Sequence, residues 1–134
     1  MSGIHATSVY LNKKGILIIG KSDLVFRLIE QQKAILIADD VTDLKIKNKK
    51  IYASCPASIK GKIEIRGIGI ISKPYKENKK IDLVVELVDS FKKVERLPEI
   101  QFWEYEKIRV KKIKIYPFEP SASYKVRLAC DEKA

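Results

Sequence analysis

The sequence predicts a strand-rich α/β domain with one well-marked helix, and three observations support this. Apolar runs rich in β-branched residues and leucine are typical of buried strands. Residues 16–19 and 34–38 are wholly apolar, and residues 81–88 are mainly apolar. Between the first two runs, residues 22–32 place their apolar side chains on one helical face. Lysine alternates with isoleucine in residues 108–115, as expected for a half-exposed strand. A strand, a helix and a second strand in succession favour an α/β fold.

The other segments predict shorter elements. We expect a strand and hairpin turn at residues 8–15 and a lysine-rich hairpin at residues 42–51 with Asn48 and Lys49 at its tip. Residues 63–71 alternate glycine with isoleucine and predict one weakened strand. We expect irregular chain at residues 91–105 and a short helix or strand at residues 122–129.

Length and composition indicate one folded domain, residues 1–134. A chain of 134 residues leaves little room for two domains. Its 46% hydrophobic and 33% charged residues suit a globular protein and argue against disorder. Cys55 and Cys130 lie far apart, which argues against a disulfide framework and a zinc knuckle. No signal-peptide pattern and no bilayer-length apolar run are present, so we expect a cytoplasmic location.

The net charge of +10 raises the question of an anionic partner. The lysines are scattered through the alternating strand segments, which favours a solvated face that protects strand edges. A nucleic-acid-binding module should also show aromatic residues interleaved with the basic ones, and these are lacking. We therefore expect neither nucleic acid nor a membrane as a partner.

Residues 15–22 satisfy the phosphate-loop pattern G-x-x-x-x-G-K-[ST] letter for letter. Such a loop needs flexible backbone that curls its N–H groups around phosphate oxygens, whereas residues 16–19 prefer an extended strand. We expect Gly20 to join this strand to the helix. Lys21 and Ser22 would then lie at a helix N-terminus, where an anion is favoured. The alternative is a plain strand–helix corner with Lys21 in solvent.

Asp39 and Asp40 follow the buried strand at residues 34–38. The carboxyl ends of strands are the ligand-binding edge of open α/β sheets, and adjacent carboxylates there can hold Mg²⁺ or accept a proton. The alternative is a solvated turn. Glu64 and Arg66 would share a face of the glycine-containing strand, where they could hold metal and phosphate or form a salt-bridged edge.

The segments that carry a family resemblance are Ile4-His-Ala-Thr-Ser8, Lys21-Ser-Asp-Leu24, Ile37-Ala-Asp-Asp40, Glu64-Ile-Arg-Gly-Ile-Gly-Ile70 and Glu95-Arg-Leu-Pro98. Together they resemble the catalytic domain of HPr kinase/phosphorylase in a compact form without the N-terminal domain. The resemblance implies a P-loop kinase-like fold with a catalytic core similar to phosphoenolpyruvate carboxykinase. It also implies phosphorylation of a serine on the phosphocarrier HPr with ATP and Mg²⁺, and phosphorolysis of the product.

The resemblance further implies regulation of carbohydrate metabolism through the phosphotransferase system and assembly into homo-oligomers, specifically hexamers. It places the nucleotide phosphates against Gly20, Lys21 and Ser22. It assigns Mg²⁺ to Ser22, Asp40 and Glu64.

Three residues receive catalytic roles from the same resemblance. Asp39 would be the acid/base on the serine hydroxyl. His5 would contact the acidic pair and tune it. Arg96 would lie near the site of phosphoryl transfer.

The chain departs from the family at the phosphate loop. Members carry a Pro-Ser-Gly-Ser-Gly-like stretch between the closing glycine and the lysine, whereas Lys21 follows Gly20 directly. Roughly five residues of the phosphate cradle are therefore missing, and their backbone N–H groups would do most of the holding. This predicts an HPr kinase/phosphorylase-type protein with impaired activity. The alternative is a catalytically inactive binding or regulatory homologue of the same fold.

Overall fold

The sheet has nine strands, and the computed structural model describes residues 2–131. The strands are β1 Ser2–Ile4, β2 Thr7–Leu11, β3 Lys14–Ile19, β4 Ile35–Ala38, β5 Thr42–Lys47, β6 Lys50–Ser54, β9 Lys79–Leu87, β10 Gln101–Tyr105 and β11 Ile108–Ile115. A separate hairpin consists of β7 Lys62–Ile65 and β8 Gly69–Ser72. The helices are α1 Leu24–Gln32 and α2 Ala122–Asp131, and short 3-10 turns lie at Ala57–Ile59 and Phe91–Lys93.

The direction of the strands brings four carboxyl ends to one edge. The strand order is β1-β5-β6-β9-β3-β2-β4, with β11 also paired to β9 and β10 paired to β11. Strand β9 runs parallel to both β3 and β11. Strand β2 is antiparallel to β3 and to β4, so β4 runs in the same direction as β3. The chain segments that follow β3, β4, β9 and β11 therefore lie at a common edge of the sheet.

Each face of the sheet buries its own apolar cluster. On one face, α1 contributes Leu24 and Leu28 and α2 contributes Val126, packed against strand residues of β2, β3 and β9. On the other face, Leu44 and Ile51 of the β5–β6 hairpin cover residues of β3, β4 and β9. Each fully buried side chain of this size contributes about 1.5–3 kcal/mol through the hydrophobic effect. The helices and the hairpin thus stabilise opposite faces of the same strands.

Arg27 joins α1 to the connection between β11 and α2. Its guanidinium donates to the carbonyl oxygens of Pro117 and Glu119 and forms an ion pair with Asp23 at 2.9 Å. The Glu119 carbonyl oxygen also accepts the Ala122 N–H at 3.1 Å, so the guanidinium ties α1 to the turn that leads into α2. Among residues 2–131, no helix is long and apolar enough to span a bilayer.

The structure confirms the main elements and corrects two. The strand-rich α/β prediction, the helix, the hairpin at residues 42–51 and the buried strands are confirmed, and residues 122–129 belong to a helix. Residues 63–71 form a hairpin and not one strand, because Gly67 and Gly69 have φ values of 88° and 123° and turn the chain. Arg66 lies in that turn and does not continue the strand face of Glu64.

The second correction concerns residues 91–105, which are not wholly irregular. Residues 101–105 form strand β10, which pairs with β11 in antiparallel register from Gln101↔Lys112 to Tyr105↔Ile108. Trp103 and Tyr105 stack with ring centroids 5.6 Å apart on the face that packs toward the second core. The pairing with β11 supplies the contacts that make residues 101–105 a strand, and the preceding polar and proline-containing stretch conceals it in the sequence.

We expect the substitution Lys33→Gly to stabilise the fold by roughly 1 kcal/mol. Lys33 ends α1 in the left-handed conformation, with φ 61° and ψ 31°, and its N–H bonds to the carbonyl oxygen of Leu28. A residue with a Cβ is strained there, whereas glycine is not. Urea unfolding measures the change in the free energy of unfolding. Lys33→Ala is the control, since it removes the same side chain but keeps the Cβ; an equal gain in both variants would contradict the strain argument.

Candidate active site

The connection from β3 to α1 is a tight corner and not a rounded loop. Ile16, Leu17 and Ile18 are buried in β3, as the preference of these residues predicts. Gly20 follows with φ 116°, and a Cβ at this position would lie 2.8 Å from the Cβ of Leu87. Close packing against β9 therefore requires glycine here. The literal phosphate-loop pattern at residues 15–22 covers a strand and a corner.

One backbone N–H at the start of α1 is satisfied by a neighbouring side chain. The hydroxyl of Ser22 accepts a hydrogen bond from the Leu24 N–H at 3.0 Å, whereas the N-cap residue Asp23 makes no capping bond with its side chain. The carboxylate of Asp23 lies beside the same terminus and pairs with Arg27. Lys21 is exposed and forms no ion pair with another described residue. One exposed cation at a helix N-terminus can attract a phosphate, but the backbone donors of a full cradle are missing.

The acidic pair follows β4 at the same edge. The Glu64 N–H donates to Asp39 Oδ2 at 3.1 Å, which ties the β7–β8 hairpin to this carboxylate. Asp40 has φ 68°, and the Val41 N–H bonds to the Asp39 carbonyl oxygen at 2.8 Å. A non-glycine residue in this region is strained, and such strain persists where surrounding contacts hold it. Here the Asp40 N–H donates to the Thr7 hydroxyl at 3.1 Å.

Burial raises the pKa of Asp39 above its ordinary value. The negative charges of Asp40 and Glu64 raise the pKa further, while hydrogen bonds from the Glu64 backbone and the Thr7 side chain oppose the increase. A carboxylate with a raised pKa accepts a proton more readily at neutral pH. Asp39 therefore has the electrostatic environment of a general base.

Thr7 is a site residue that the sequence pattern does not single out. Its hydroxyl contacts both members of the acidic pair. Directly behind it, the Thr42 hydroxyl donates to the Ala6 carbonyl oxygen at 2.8 Å and lies 2.9 Å from the Ser8 hydroxyl, with both side chains fully buried. These bonds fix the start of β2 against the start of β5, on either side of the acidic turn.

The structure brings most of the predicted site residues to one edge. Gly20, Lys21 and Ser22 follow β3, and Asp39 and Asp40 follow β4, with only β2 between these strands. Because β2 begins at this edge, the residues before it lie there as well. The glycine-lysine corner and the acidic pair therefore lie at a common edge of the sheet, and their binding and catalytic roles stay predictions.

The structure connects the other three predicted site residues less directly to the acidic pair. His5 is exposed in the turn between β1 and β2, at the same edge. Glu64 contacts Asp39 through its backbone, and its own side chain is exposed. Arg96 is exposed in the irregular segment before β10. Within residues 2–131, the structure gives no hydrogen bond or ion pair from His5 or Arg96 to the acidic pair, so their catalytic roles stay predictions.

Comparisons with known proteins identify the family. The model of the HPr Serine kinase C-terminal domain matches residues 2–126. The chain belongs to this family. The HPr kinase/phosphorylases of Caldicellulosiruptor bescii and Clostridium tetani are 34% identical over 96 residues and 38% identical over 76 residues, covering 62% and 53% of this chain. These matches cover 30% and 25% of the two relatives, so the chain spans less than a third of their length.

A solved structure of the Hpr(Ser) kinase/phosphatase from Coxiella burnetii shares the fold, with a TM-score of 0.82 and 29% sequence identity. The similarity covers 97% of this chain and 88% of that one. The resemblance to HPr kinase/phosphorylase and the strand-rich, P-loop kinase-like fold are thereby confirmed. The tight β3–α1 corner belongs to a chain that matches the domain almost from end to end.

The carboxylates at the site fit a magnesium–phosphate complex better than a metal site made by protein alone. No group of three or more histidine, cysteine, aspartate or glutamate side chains that could hold a metal occurs among the described residues. Mg²⁺ commonly binds one or two carboxylates and takes its remaining ligands from water and substrate phosphates. The exposed carboxylates of Asp40 and Glu64 have the hard oxygen donors that this arrangement needs. The donor set is therefore compatible with Mg²⁺ delivered together with a nucleotide.

We expect Asp39→Asn to raise the melting temperature at neutral pH. A carboxyl whose folded-state pKa is raised stabilises the fold below its unfolded pKa of about 4, and this stability is lost as the pH rises through the folded-state pKa. Asparagine removes the buried charge and keeps an oxygen that accepts from the Glu64 N–H. The gain should therefore shrink as the pH falls toward about 3.

Thermal unfolding followed by circular dichroism between about pH 3 and pH 8 measures this effect. Glu104→Gln is the matched control, because Glu104 is exposed on β10 and its loss changes the net charge equally. A gain of the same size in the control, or a gain for Asp39→Asn that does not depend on pH, would show that burial of Asp39 is not the cause.

Proposed function

We propose that this chain is the phosphoryl-transfer domain of an HPr kinase/phosphorylase-type protein whose nucleotide binding is weakened by the tight β3–α1 corner. The observation that carries the proposal is Asp39, a half-buried carboxylate with a raised pKa at the edge that also bears Lys21. The family match over residues 2–126 supports the same proposal. The substrate would be a serine of an HPr-like phosphocarrier.

The proposed chemistry uses Asp39 as the group that moves the proton. In the kinase direction, its carboxylate accepts the proton of the serine hydroxyl while the oxygen of that serine attacks the terminal phosphorus of ATP and ADP leaves. In phosphorolysis, an oxygen of inorganic phosphate attacks the phosphorus of the phosphoserine and the bond from phosphorus to the serine oxygen breaks, which forms pyrophosphate. Protonated Asp39 returns the proton to the departing serine oxygen. Thr7 and the Glu64 N–H hold the carboxylate in place through the bonds described above.

The other residues of the edge would bind the phosphates. Lys21 offers an exposed ammonium, and the Ser22 hydroxyl lies one residue further along. Asp40 and Glu64 would hold Mg²⁺, which neutralises charge on the transferred phosphoryl group when it is bound. His5 and Arg96 would act on the acidic pair and the transferring group from the surrounding segments. These assignments agree with the chemistry of the donor groups.

The whole protein's context is proposed from the same family. We propose a homo-oligomer, specifically a hexamer, that works in the cytoplasm and regulates carbohydrate metabolism through the phosphotransferase system. The partner in catalysis would be a protein phosphocarrier and not a nucleic acid or a membrane. The short corner limits this proposal to weak turnover, since backbone donors to the nucleotide phosphates are missing.

The tight corner also supports a second candidate, a catalytically inactive binding or regulatory homologue. Gly20 packs directly against Leu87, and Asp23 places a carboxylate at the helix terminus where a phosphate would bind. Both features oppose nucleotide binding. The acidic pair favours the first candidate, because Thr7 and the Glu64 N–H hold the half-buried Asp39 carboxylate at the same edge as Lys21.

We expect Mg-ATP binding to be weaker than micromolar when measured by isothermal titration calorimetry. Each missing hydrogen bond to a charged phosphate would have contributed about 1.5–3 kcal/mol. Insertion of Gly-Ser-Gly between Gly20 and Lys21 should tighten binding by roughly tenfold or more. The same insertion at the β5–β6 hairpin tip, between Asn48 and Lys49, is the control and should leave nucleotide affinity unchanged.

Transfer of labelled phosphate from ATP to purified HPr separates the two candidates. The proposed kinase predicts slow transfer by the natural chain, faster transfer after the corner insertion, and none after Asp39→Asn in the inserted background. Tight nucleotide binding by the natural chain would refute the proposed effect of the corner. Absence of transfer after an insertion that restores binding would favour the inactive homologue.

A further inference from the structure

The sheet forks at the edge opposite to the acidic pair. Strand β6 pairs with the start of β9 at Lys79 and Lys80, and β11 pairs with β9 from Val84 to Leu87. Both partners lie on the same side of β9, because β3 occupies the other side. The stretch of β9 between these pairings has no strand neighbour on that side. The two hairpins, β5–β6 and β10–β11, therefore diverge from β9 and leave a gap between them.

A β-bulge fixes the position of this fork. Gly15 of β3 pairs with Ile81, and the next residue of β3 pairs with Leu83, so Asp82 is the extra residue in β9. The Asp82 carboxylate accepts a hydrogen bond from the Gly15 N–H at 3.2 Å. A Cβ on Gly15 would lie 2.1 Å from the carbonyl oxygen of Lys80, so the strands approach too closely for any other residue. Bulges of this kind bend a strand and end its pairing.

The fork holds two adjoining depressions of about 220 Å³ and about 570 Å³, which we call together the fork groove. They share Lys49, Ile108 and Arg109, so they form one continuous surface. Six cationic and two acidic side chains line the groove: Lys49, Lys50, Lys80, Lys107, Arg109 and Lys111, with Asp82 and Glu106. The charge of the groove is strongly positive.

Several of these cations lack a carboxylate partner. Lys49, Lys50 and Lys107 form no ion pair with another residue of the described range 2–131, whereas Lys80 pairs with Asp82 at 3.0 Å. The Arg109 guanidinium lies 4.0 Å from the centre of the Phe102 ring, which fixes its direction without neutralising its charge. Uncompensated like charges at two hairpin tips repel each other, and a bound anion would relieve this repulsion.

The lining of the larger depression distinguishes between anionic partners. Ile46, which is 42% exposed, and Ile108 of the other hairpin both line it. These two side chains are the apolar members of a lining that is otherwise charged. No aromatic ring lines either depression, so the stacking platform that binds single-stranded nucleic acid is not among the lining residues. An apolar anchor surrounded by cations matches a polypeptide that carries carboxylates around an aliphatic side chain.

We propose that the fork groove binds an extended acidic segment of a partner polypeptide, with an aliphatic side chain on Ile46 and Ile108 and carboxylates between the lysines. The site lies at the amino ends of β9 and β11, whereas the acidic pair lies at the carboxyl edge. The inference is independent of the proposed catalytic function. It gives a specific role to part of the excess positive charge.

Fluorescence anisotropy with a labelled peptide of about ten residues, glutamates around one central leucine, tests the site. We expect binding that weakens as salt rises, because exposed charge pairs are screened. The double variant Lys49→Glu with Arg109→Glu should weaken binding by roughly tenfold or more. The control double variant Lys62→Glu with Lys92→Glu makes the same charge change at exposed positions outside the groove and should have little effect.

The apolar contact has its own test. Ile46→Ser should weaken binding of the leucine peptide by several-fold and should not affect a peptide with glycine in place of leucine. Circular dichroism verifies that each variant is folded. Equal losses in the groove and control double variants would overturn the proposal, as would equal effects of Ile46→Ser on both peptides. Tighter binding of a labelled oligothymidine of similar charge would overturn it in favour of nucleic acid.

Discussion

Strand β9 lies between two parallel neighbours, and this pairing determines the positions of the connecting segments at both ends of the sheet. Because β3 and β11 run in the same direction as β9, the corner after β3 and the connection to α2 meet at one edge. Strand β2 then brings β4 and its acidic pair to the same edge. The same three strands separate at their other ends, where the bulge at Asp82 opens the fork groove. One strand thus organises two sites of opposite charge.

Packing against β9 also explains why the corner cannot act as a phosphate cradle without a longer chain. Residues 16–18 are buried on both faces of the sheet, and removing such side chains from the core costs about 1.5–3 kcal/mol each. Gly20 is fixed by its contact with Leu87, so the backbone between the strand and α1 has no spare length. A loop around a phosphate would have to pull these side chains out of the core, and the free-energy cost of doing so opposes it. Additional residues would have to supply the donors.

At the edge that carries Asp39 and Asp40, the structure keeps features that lower its stability. Burial and neighbouring charges raise the pKa of Asp39, and Asp40 adopts a strained conformation. Thr7 and the Glu64 backbone hold both features in place, at the expense of stability at neutral pH. Strain and unfavourable burial of charge are common where a group must exchange protons. The chain therefore combines a partly buried carboxylate of raised pKa with a tight corner at the same edge.

The sequence by itself determined the buried strands, the helix at residues 24–32, the extended character of residues 16–19, and the family. Hydrophobic period and strand preference are local properties, so they can be read without knowing the neighbours. It also placed Asp39 and Asp40 at a strand's carboxyl end. Only the tertiary structure revealed Thr7 as their hydrogen-bond partner, strand β10, the turn at Gly67, and the fork in the sheet. The contacts of Thr7 and the fork in the sheet depend on residues distant in the chain, which no local pattern encodes. Strand β10 and the turn at Gly67 belong to hairpins between neighbouring segments, where polar residues or glycines weaken the local strand pattern.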